Sequence, residues 1–366
     1  MIIKKITQFL SVIGLCVLPT LPSYALELLS NEDLSEVTGQ ASLFTTDYIA
    51  PGGSNPNPNI GFYRLGIDAE LSINANIRGF RLGCDGPNGT GVCDINFGNV
   101  RLTGLNSSSV SDSGPTSDAI MTRPFFEFAI RNPTTAATRE LVGIRFGAQQ
   151  ALGRLSVGEN PDPLNPADDT GIVSFSGDMN AQIVGARITD ICARLIVCLA
   201  ATAQLDDYDY AAVHGGTPLI FSRSQVNGCG STDFPGAVNC MFFDGLVARA
   251  SLFGLVLDSR LTEDLRFIHD LGLEDGNGNA ISDLSMSLQK EAVRWQKIST
   301  GTFTGVVPAQ KGWWLSVPNV VVRNLRIDEP IEVSALGALV GQPVVLQNVD
   351  LGQRPVDNCY GALTFC

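Results

Sequence analysis

Cysteine is the residue type whose number and spacing in this sequence point most directly to chemistry. Nine cysteines are present, and eight lie beyond the apolar N-terminal stretch that contains Cys16. The eight form four pairs of sequence neighbours, 9, 6, 11 and 7 positions apart: Cys84 and Cys93, Cys192 and Cys198, Cys229 and Cys240, Cys359 and Cys366. Eight thiols allow many connectivities, but this clustering favours local disulfides. A zinc site is disfavoured because no C-x-x-C is present and only His214 and His269 could join the thiols.

The first 25 residues have the composition of a secretory signal peptide. Lys4 and Lys5 precede an apolar stretch, and Ser23 and Ala25 are the small residues of a cleavage site. We therefore predict cleavage after Ala25 and export to an oxidising compartment where disulfides form. The predicted location is the cell surface or the extracellular space, with the periplasm as the alternative.

Side chains that could act as a nucleophile or a general base are scarce. His214-Gly215-Gly216 is similar to the oxyanion loop of some lipases, but no G-x-S-x-G nucleophile elbow accompanies it. With two histidines in the whole chain, few groups are suited to proton transfer near neutral pH. We predict that the protein is not an enzyme, and we assign no catalytic or cofactor-binding residue.

Four oxygen-bearing side chains partly match a calcium-binding loop: Asp275, Asn277, Asn279 and Asp283. Ala280 stands where an EF-hand loop needs glycine, and Met286 stands where it needs glutamate. The EF-hand is therefore rejected. A looser Ca²⁺ site there, or around Asp168 and Asp169, is the metal hypothesis that stays open, and no other cofactor is predicted.

The chain is acidic, with 24 basic and 37 acidic residues and a formal charge of −13. Loss of Lys4 and Lys5 with the signal peptide takes this charge to −15. Nucleic acid is excluded as a partner because phosphate binding needs a basic face. The most apolar later segment, 191–203, is short and contains Arg194, so no transmembrane helix is predicted after signal cleavage.

Residues 26–41 carry the start and stop signals of one short helix. Ser30 and Asp33 have the spacing of a capping box, and Gly39 suits the position that follows a helix. We predict that this helix is separate from the domain that follows it.

The remaining chain, 42–366, has the pattern of a β-rich domain. From Ile67 to Arg78 apolar and polar residues alternate strictly over twelve positions, which predicts one half-buried strand about 40 Å long. Rougher alternation recurs in five stretches: 246–257, 265–273, 281–288, 313–327 and 333–351. Turn-forming residues at 274–280 predict a hairpin between the strands on either side.

These patterns predict an all-β fold of mainly antiparallel long strands, arranged as a sandwich or an extended sheet and stapled by disulfides. One domain is predicted for 42–366, with two subdomains as the alternative. Trp313 and Trp314 are adjacent, so on a strand they face opposite sides. One is expected in the core, and the other is a candidate for an interface or a ligand contact.

The segment Leu29–Gln40, with Asp33-Leu34-Ser35-Glu36-Val37-Thr38-Gly39-Gln40 at its centre, resembles a tag found just after the signal peptide in a set of secreted γ-proteobacterial proteins. Some proteins of that set are described as pilus or filament (Fil-type) proteins. The resemblance covers this short segment alone and transfers no functional residue. It implies a role in surface fibres, with other envelope or filament proteins, or further copies of this chain, as partners.

Two functions are therefore predicted. The first is a cell-surface or filament-associated structural protein, which could be a subunit, an assembly factor or an adhesin, because long strands can pair edge to edge between subunits. The alternative is a periplasmic or extracellular binding protein for an apolar ligand, because a hydrophobic share of 44% could line a cavity.

Overall fold

The computed structural model describes residues 43–85, 93–105, 117–159, 171–179, 182, 268–303, 305–323, 325–326 and 352–355 with their side chains, and further strands between 180 and 345 by their backbone alone. The described residues belong to one compact unit, Leu43–Cys366. The signal peptide at 1–25 and the helix within 26–41 lie outside the described residues and stay predictions.

Every element in the described part of the chain is a strand, which confirms the all-β class. The 26 strands are β1 (Phe44–Ile49), β2 (Ile60–Ile67), β3 (Glu70–Ile73), β4 (Ala75–Ile77), β5 (Phe80–Leu82), β6 (Ile95–Phe97), β7 (Val100–Thr103), β8 (Ala119–Arg131), β9 (Glu140–Ser156), β10 (Ile172–Val184), β11 (Arg187–Ile188), β12 (Ile191–Arg194), β13 (Cys198–Ala201), β14 (Ala203–Leu205), β15 (Tyr208–Asp209), β16 (Leu219–Gln225), β17 (Phe242–Leu252), β18 (Leu255–Asp264), β19 (Asp270–Leu273), β20 (Ile281–Gln289), β21 (Val293–Lys297), β22 (Thr302–Ala309), β23 (Gly312–Arg323), β24 (Arg326–Ile327), β25 (Ile331–Ser334) and β26 (Val344–Val345). Over the same residues, no helix is long and apolar enough to cross a membrane.

Fifteen of the described strands form one large sheet, with a main path β1-β2-β8-β9-β19-β23-β10-β6-β5. Most neighbours are antiparallel, but β10 and β23 pair in parallel. The parallel pairing continues through β11 with β24 and through β12 with β25. The chain around 177–194 therefore runs alongside 315–334, a pairing across more than a hundred residues that no local pattern predicts. The remaining strands form small sheets of two to four strands.

The single long strand predicted over 67–78 is wrong, because the structure divides it into the end of β2, then β3 and β4. Both β2 and β3 pair with β8, but the register shifts by one residue between them, which places a bulge at 68–69. The next strand, β4, leaves β8 and pairs with β7. The alternation itself is real, since residues from all three strands line one cleft. The change of partner is what the local sequence does not encode.

The hairpin predicted at 274–280 is also wrong. Leu273 on β19 pairs with Gly153, and Ile281 on β20 pairs with Ala151 of the same strand, β9. The chain therefore stops pairing with β9 at residue 274, forms a loop, and resumes pairing with β9 at Ile281 in the same direction. An antiparallel bridge between Glu274 and Ala280 closes the loop. The turn residues therefore form a loop closed by one bridge, and the strands on either side of it pair with β9 and not with each other.

One cluster of the hydrophobic core lies between the main sheet and the β21–β22 pair. Val293 and Trp295 on β21 and Val307 on β22 are buried against Phe62 and Trp314 of the sheet. The rings of Phe62 and Trp295 have their centres 5.3 Å apart. This packing covers one face of the sheet at β2, β8, β9 and β23, and the β21–β22 pair does not cover the opposite face.

One of the predicted local disulfides is confirmed, between Cys84 and Cys93. It joins the β5–β6 hairpin beyond its last strand pair, Leu82 opposite Ile95. Cys192 on β12 and Cys198 on β13 lie on paired antiparallel strands, although they are not directly opposite each other. The remaining candidates lie outside the described residues: Cys229, Cys240, Cys359 and Cys366. A disulfide is compatible with an exported protein.

Candidate functional site

The described structure contains an apolar cleft with a volume of about 460 Å³. Its walls come from β2 to β9 and from β19, β20 and β23. Among its 23 lining residues Ser285 is the one with a polar side chain. Ser285 is itself buried, so the surface of the cleft is close to purely apolar.

The floor of the cleft is built by residues that stand opposite one another on four neighbouring strands. Phe126 on β8 pairs with Phe146 on β9, Phe146 pairs with Met286 on β20, and Met286 pairs with Leu315 on β23. We call these four residues the cleft row: Phe126, Phe146, Met286 and Leu315. Because directly opposed residues of a sheet share a face, the register alone places all four on one side. The Phe126 and Phe146 rings have their centres 6.2 Å apart.

The facing wall comes from the short strands β3 to β7. Leu71, Ile73 and Ile77 come from the alternating segment that the sequence singled out, and Phe80 and Phe97 come from the hairpin that the disulfide closes. The rings of Phe80 and Phe97 are 6.3 Å apart. The predicted apolar face of this segment is therefore confirmed as a shared face, but it lines a cleft instead of a filled core.

A bend in the sheet lets both halves of the long strands contribute to the cleft. Arg123 on β8 and Asp283 on β20 have positive φ angles of 52° and 64°, which residues other than glycine rarely adopt. Both lie beside the same residue of β9, Gln149, in the registers of their strands. On β8 the lining residue before the bend is Met121, and beyond it the cleft row uses Phe126. The residue of the cleft row is thus at an even position although Met121 is at an odd one, as a change of pleat direction at Arg123 requires, and Pro124 and Phe125 also line the cleft beside it.

The cleft is open enough to leave large apolar side chains in contact with solvent. Phe126 is 56% exposed, Leu71 47% and Ile77 40%. On β20 the ordinary pattern is inverted, because Ser285 and Ser287 are buried while Leu284 and Met286 are half-buried. Isolated exposed apolar residues are common, but a contiguous apolar patch is typical of a binding surface.

A buried ionic cluster supports the sheet behind the cleft. The fully buried Glu127 carboxylate accepts hydrogen bonds from Arg64 Nη2 at 2.9 Å and from Arg145 Nε at 2.9 Å, with a further one from Arg145 Nη2. The Arg145 guanidinium also lies 5.3 Å from the Phe125 ring centre and 5.0 Å from that of Trp295. Burial lowers the pKa of Arg145, and the adjacent Glu127 carboxylate opposes that shift. Since Phe125 also lines the cleft, this cluster fixes part of its wall.

The two tryptophans face opposite sides of β23, as predicted. Trp314 is buried in the core, and its Nε1 donates a hydrogen bond of 2.9 Å to Asp178. Burial raises the pKa of Asp178, against the effect of hydrogen bonds from Trp314 and Ser316. Trp313 is half-buried and stands opposite Leu288 in the register. It lies on the face that carries the cleft, so Trp313 is the candidate for the ligand or interface contact, which stays a prediction.

Three of the four residues proposed for calcium at 275–283 lie together in one loop, and the fourth, Asp283, has other partners. Asp275 accepts hydrogen bonds from the amides of Asn277 and Asn279, each at 3.0 Å, within the loop. Asp283 accepts from the backbone nitrogen and hydroxyl of Ser299 instead. Wherever side chains are described, no three His, Cys, Asp or Glu residues form a metal-binding group. Asp168, Asp169 and His214 lie outside the described residues.

No protein-family model, curated protein or solved structure matches this chain. The floor of the cleft could not be assembled from the sequence, because the row that forms it comes from four separate segments. Alternation at 281–288 identified the apolar face of β20, where Leu284, Met286 and Leu288 alternate with serines, but it does not show which strands lie beside that face.

Proposed function

We propose that this protein is exported and binds an apolar ligand in the cleft between the floor formed by β8, β9, β20 and β23 and the wall formed by β3 to β7. The observation that supports this function best is an open cleft with one polar side chain among 23 lining residues. Ligand-binding clefts of small molecules usually have volumes of about 300–1,000 Å³ and mainly apolar linings, and the value of about 460 Å³ lies within that range.

The lack of polar groups in the lining argues for a hydrocarbon ligand and against an inserted peptide. A peptide carries an N–H and a C=O at nearly every residue, and each needs a hydrogen-bond partner when it is buried. Ser285 is the one lining side chain that could serve, and it is buried. A hydrocarbon needs no such partner, and its transfer from water is favourable by about 25 cal/mol per Å² of apolar surface.

The test uses the mature, disulfide-bonded protein and the apolar fluorophore Nile red. Met286→Glu places a charge in the cleft row. A bound ligand would have to displace the water that hydrates this carboxylate, so we expect at least about ten-fold weaker binding. The matched control is Ile120→Glu. Ile120 is 36% exposed on the same sheet but does not line the cleft. Equal binding by both variants, with unchanged circular dichroism, would contradict the proposal. Native mass spectrometry of protein from its own host should also show a retained small molecule.

A role in surface fibres is the second candidate, and the edge strand β1 favours it. In the described structure β1 pairs with β2 on one side, and most of its residues are exposed, including Phe44 and Tyr48. An exposed edge can accept a strand from another subunit. Sedimentation of the mature protein at increasing concentration tests this, with Thr46→Pro, which removes an edge donor, as the variant. A protein that stays monomeric at every concentration argues against the fibre role.

A further inference from the structure

The apolar face does not end at the cleft row but continues one row further along the same strands. Two residues beyond Phe126, Phe128 on β8 pairs with Ile144 on β9, and Ile144 pairs with Leu288 on β20. Leu288 in turn pairs with Trp313 on β23. We call these four residues the rim row: Phe128, Ile144, Leu288 and Trp313. Positions two apart on a strand share a face and lie about 7 Å apart, so the rim row adjoins the cleft row directly.

The rim row is apolar throughout and partly accessible. Phe128 is 40% exposed, and Ile144, Leu288 and Trp313 are half-buried. It does not belong to the lining of the cleft itself. A ligand confined to the cleft would leave these side chains in water, whereas a longer ligand would cover them.

The positions of the lining residues bear on the form of that ligand. On β9 the cleft is lined by Phe146, Gly147 and Ala148 and again by Leu155, so its surface is built from both halves of this long strand. The rim row then adds a further stretch of the same apolar face beyond Phe146. An apolar surface that continues from the cleft along the strands suits an extended hydrocarbon chain.

We infer, building on the proposed function, that the ligand is an extended hydrocarbon chain whose far end lies in the cleft and whose other end leaves over the rim row. The chain passes the cleft row at Phe146 and then crosses Ile144, with Phe128 and Leu288 on either side. Its polar group reaches water beyond Trp313 or Phe128, because neither the cleft lining nor the rim row offers a charged side chain to bind it.

Displacement of Nile red by unbranched primary alcohols of increasing length tests this inference. Each added methylene should tighten binding about four-fold, because a buried methylene is worth about 0.8 kcal/mol, until the chain extends past the rim row. In Phe128→Ser the longest alcohols should bind about ten-fold more weakly, while the short ones should bind as they do to wild type. Ile120→Ser, an equally exposed position on the same strand, should change neither. Leu288→Ser repeats the test from the neighbouring strand β20.

The outcomes separate the two proposals. If neither Nile red nor any alcohol binds, the binding function and this inference both fail. If Nile red binds but affinity does not depend on chain length, the function stands and the extended-chain ligand is refuted. The same conclusion follows if Phe128→Ser weakens short and long alcohols equally, because the rim row would then act through the cleft and not through the emerging chain.

Discussion

Replacing Glu127 by glutamine tests the ionic cluster behind the cleft. Glu127 is fully buried, and it accepts hydrogen bonds from Arg64 on β2 and Arg145 on β9. Glutamine has nearly the same size, so the change removes the negative charge and leaves the packing of the sheet almost intact. Its amide group would point toward guanidinium donors where the carboxylate had only acceptor oxygens.

The expected cost follows from the burial of the two arginines. The side chain of Arg145 is 1% exposed and that of Arg64 13%. Arg64 can therefore turn toward water, whereas Arg145 stays buried between two aromatic rings and loses the carboxylate that it hydrogen-bonds; the opposite charge that still acts on it is that of Asp283. Breaking a buried ion pair by removing one partner typically costs about 3–5 kcal/mol. That is a large part of the total stability of an ordinary domain, about 5–15 kcal/mol.

Urea unfolding with the disulfides intact measures this cost, followed by the fluorescence of Trp295 and Trp314, which are both buried. The matched control is Asp68→Asn, which makes the same chemical change in an exposed pair. Arg123 Nε lies 2.7 Å from Asp68, but the two side chains are 56% and 47% exposed. The loss there should be within about 1 kcal/mol, because water screens exposed ion pairs.

A second substitution separates the missing charge from other effects. If the orphaned guanidinium is the cause, Glu127→Gln combined with Arg145→Met should be more stable than Glu127→Gln alone, because the buried guanidinium is then absent. The reasoning is refuted if Glu127→Gln costs no more than Asp68→Asn. It is also refuted if the added Arg145→Met lowers the stability of Glu127→Gln further.

Three further predictions concern stability and use the same urea assay. Burial raises the pKa of Asp270 to about 6 despite the nearby Arg154. Because the unfolded value is about 3.9, wild-type stability should fall as the pH rises from about 4 to about 6, and Asp270→Asn should remove that fall. A difference in stability between wild type and variant that does not change with pH would contradict this. The double variant Cys84→Ser, Cys93→Ser should have a free energy of unfolding about 2.5 kcal/mol lower than wild type, because its unfolded chain regains the freedom of the closed loop. A urea midpoint equal to that of wild type, measured without reductant, would contradict this. Gly147→Ala should cost about 1–3 kcal/mol, since its Cβ would lie 2.1 Å from the carbonyl oxygen of Leu284, and a wild-type midpoint would show that the strand can shift.

Several features of this fold could be predicted from the sequence because they depend on neighbouring residues. Alternation at 67–77 identified one apolar face, since successive side chains of a strand point to opposite sides. The opposite orientations of Trp313 and Trp314 follow from the same geometry. The bridge between Cys84 and Cys93 was favoured because short loops between cysteines close easily. These predictions hold whichever strands lie alongside.

The partners of each strand could not be predicted, because register depends on contacts between distant segments. The cleft row joins residues from four strands, and the cluster around Glu127 joins Arg64, Glu127 and Arg145 from three. No local pattern distinguishes these arginines from others on strand faces. The division of 67–78 and the return of β20 to β9 arise in the same way, since pairing with β8, β7 and β9 decides where a strand ends.

Strands with one apolar face follow from the local sequence, because backbone sterics and the spacing of apolar side chains act over a few residues. That this face stays open as a cleft follows from the packing of distant segments. Positive φ angles at Arg123 and Asp283 turn the side chains of both halves of the long strands toward it, and the β21–β22 pair fills the opposite face with Trp295. Which face is filled and which is left open depends on what packs against the sheet, and that is decided by segments far apart in the chain.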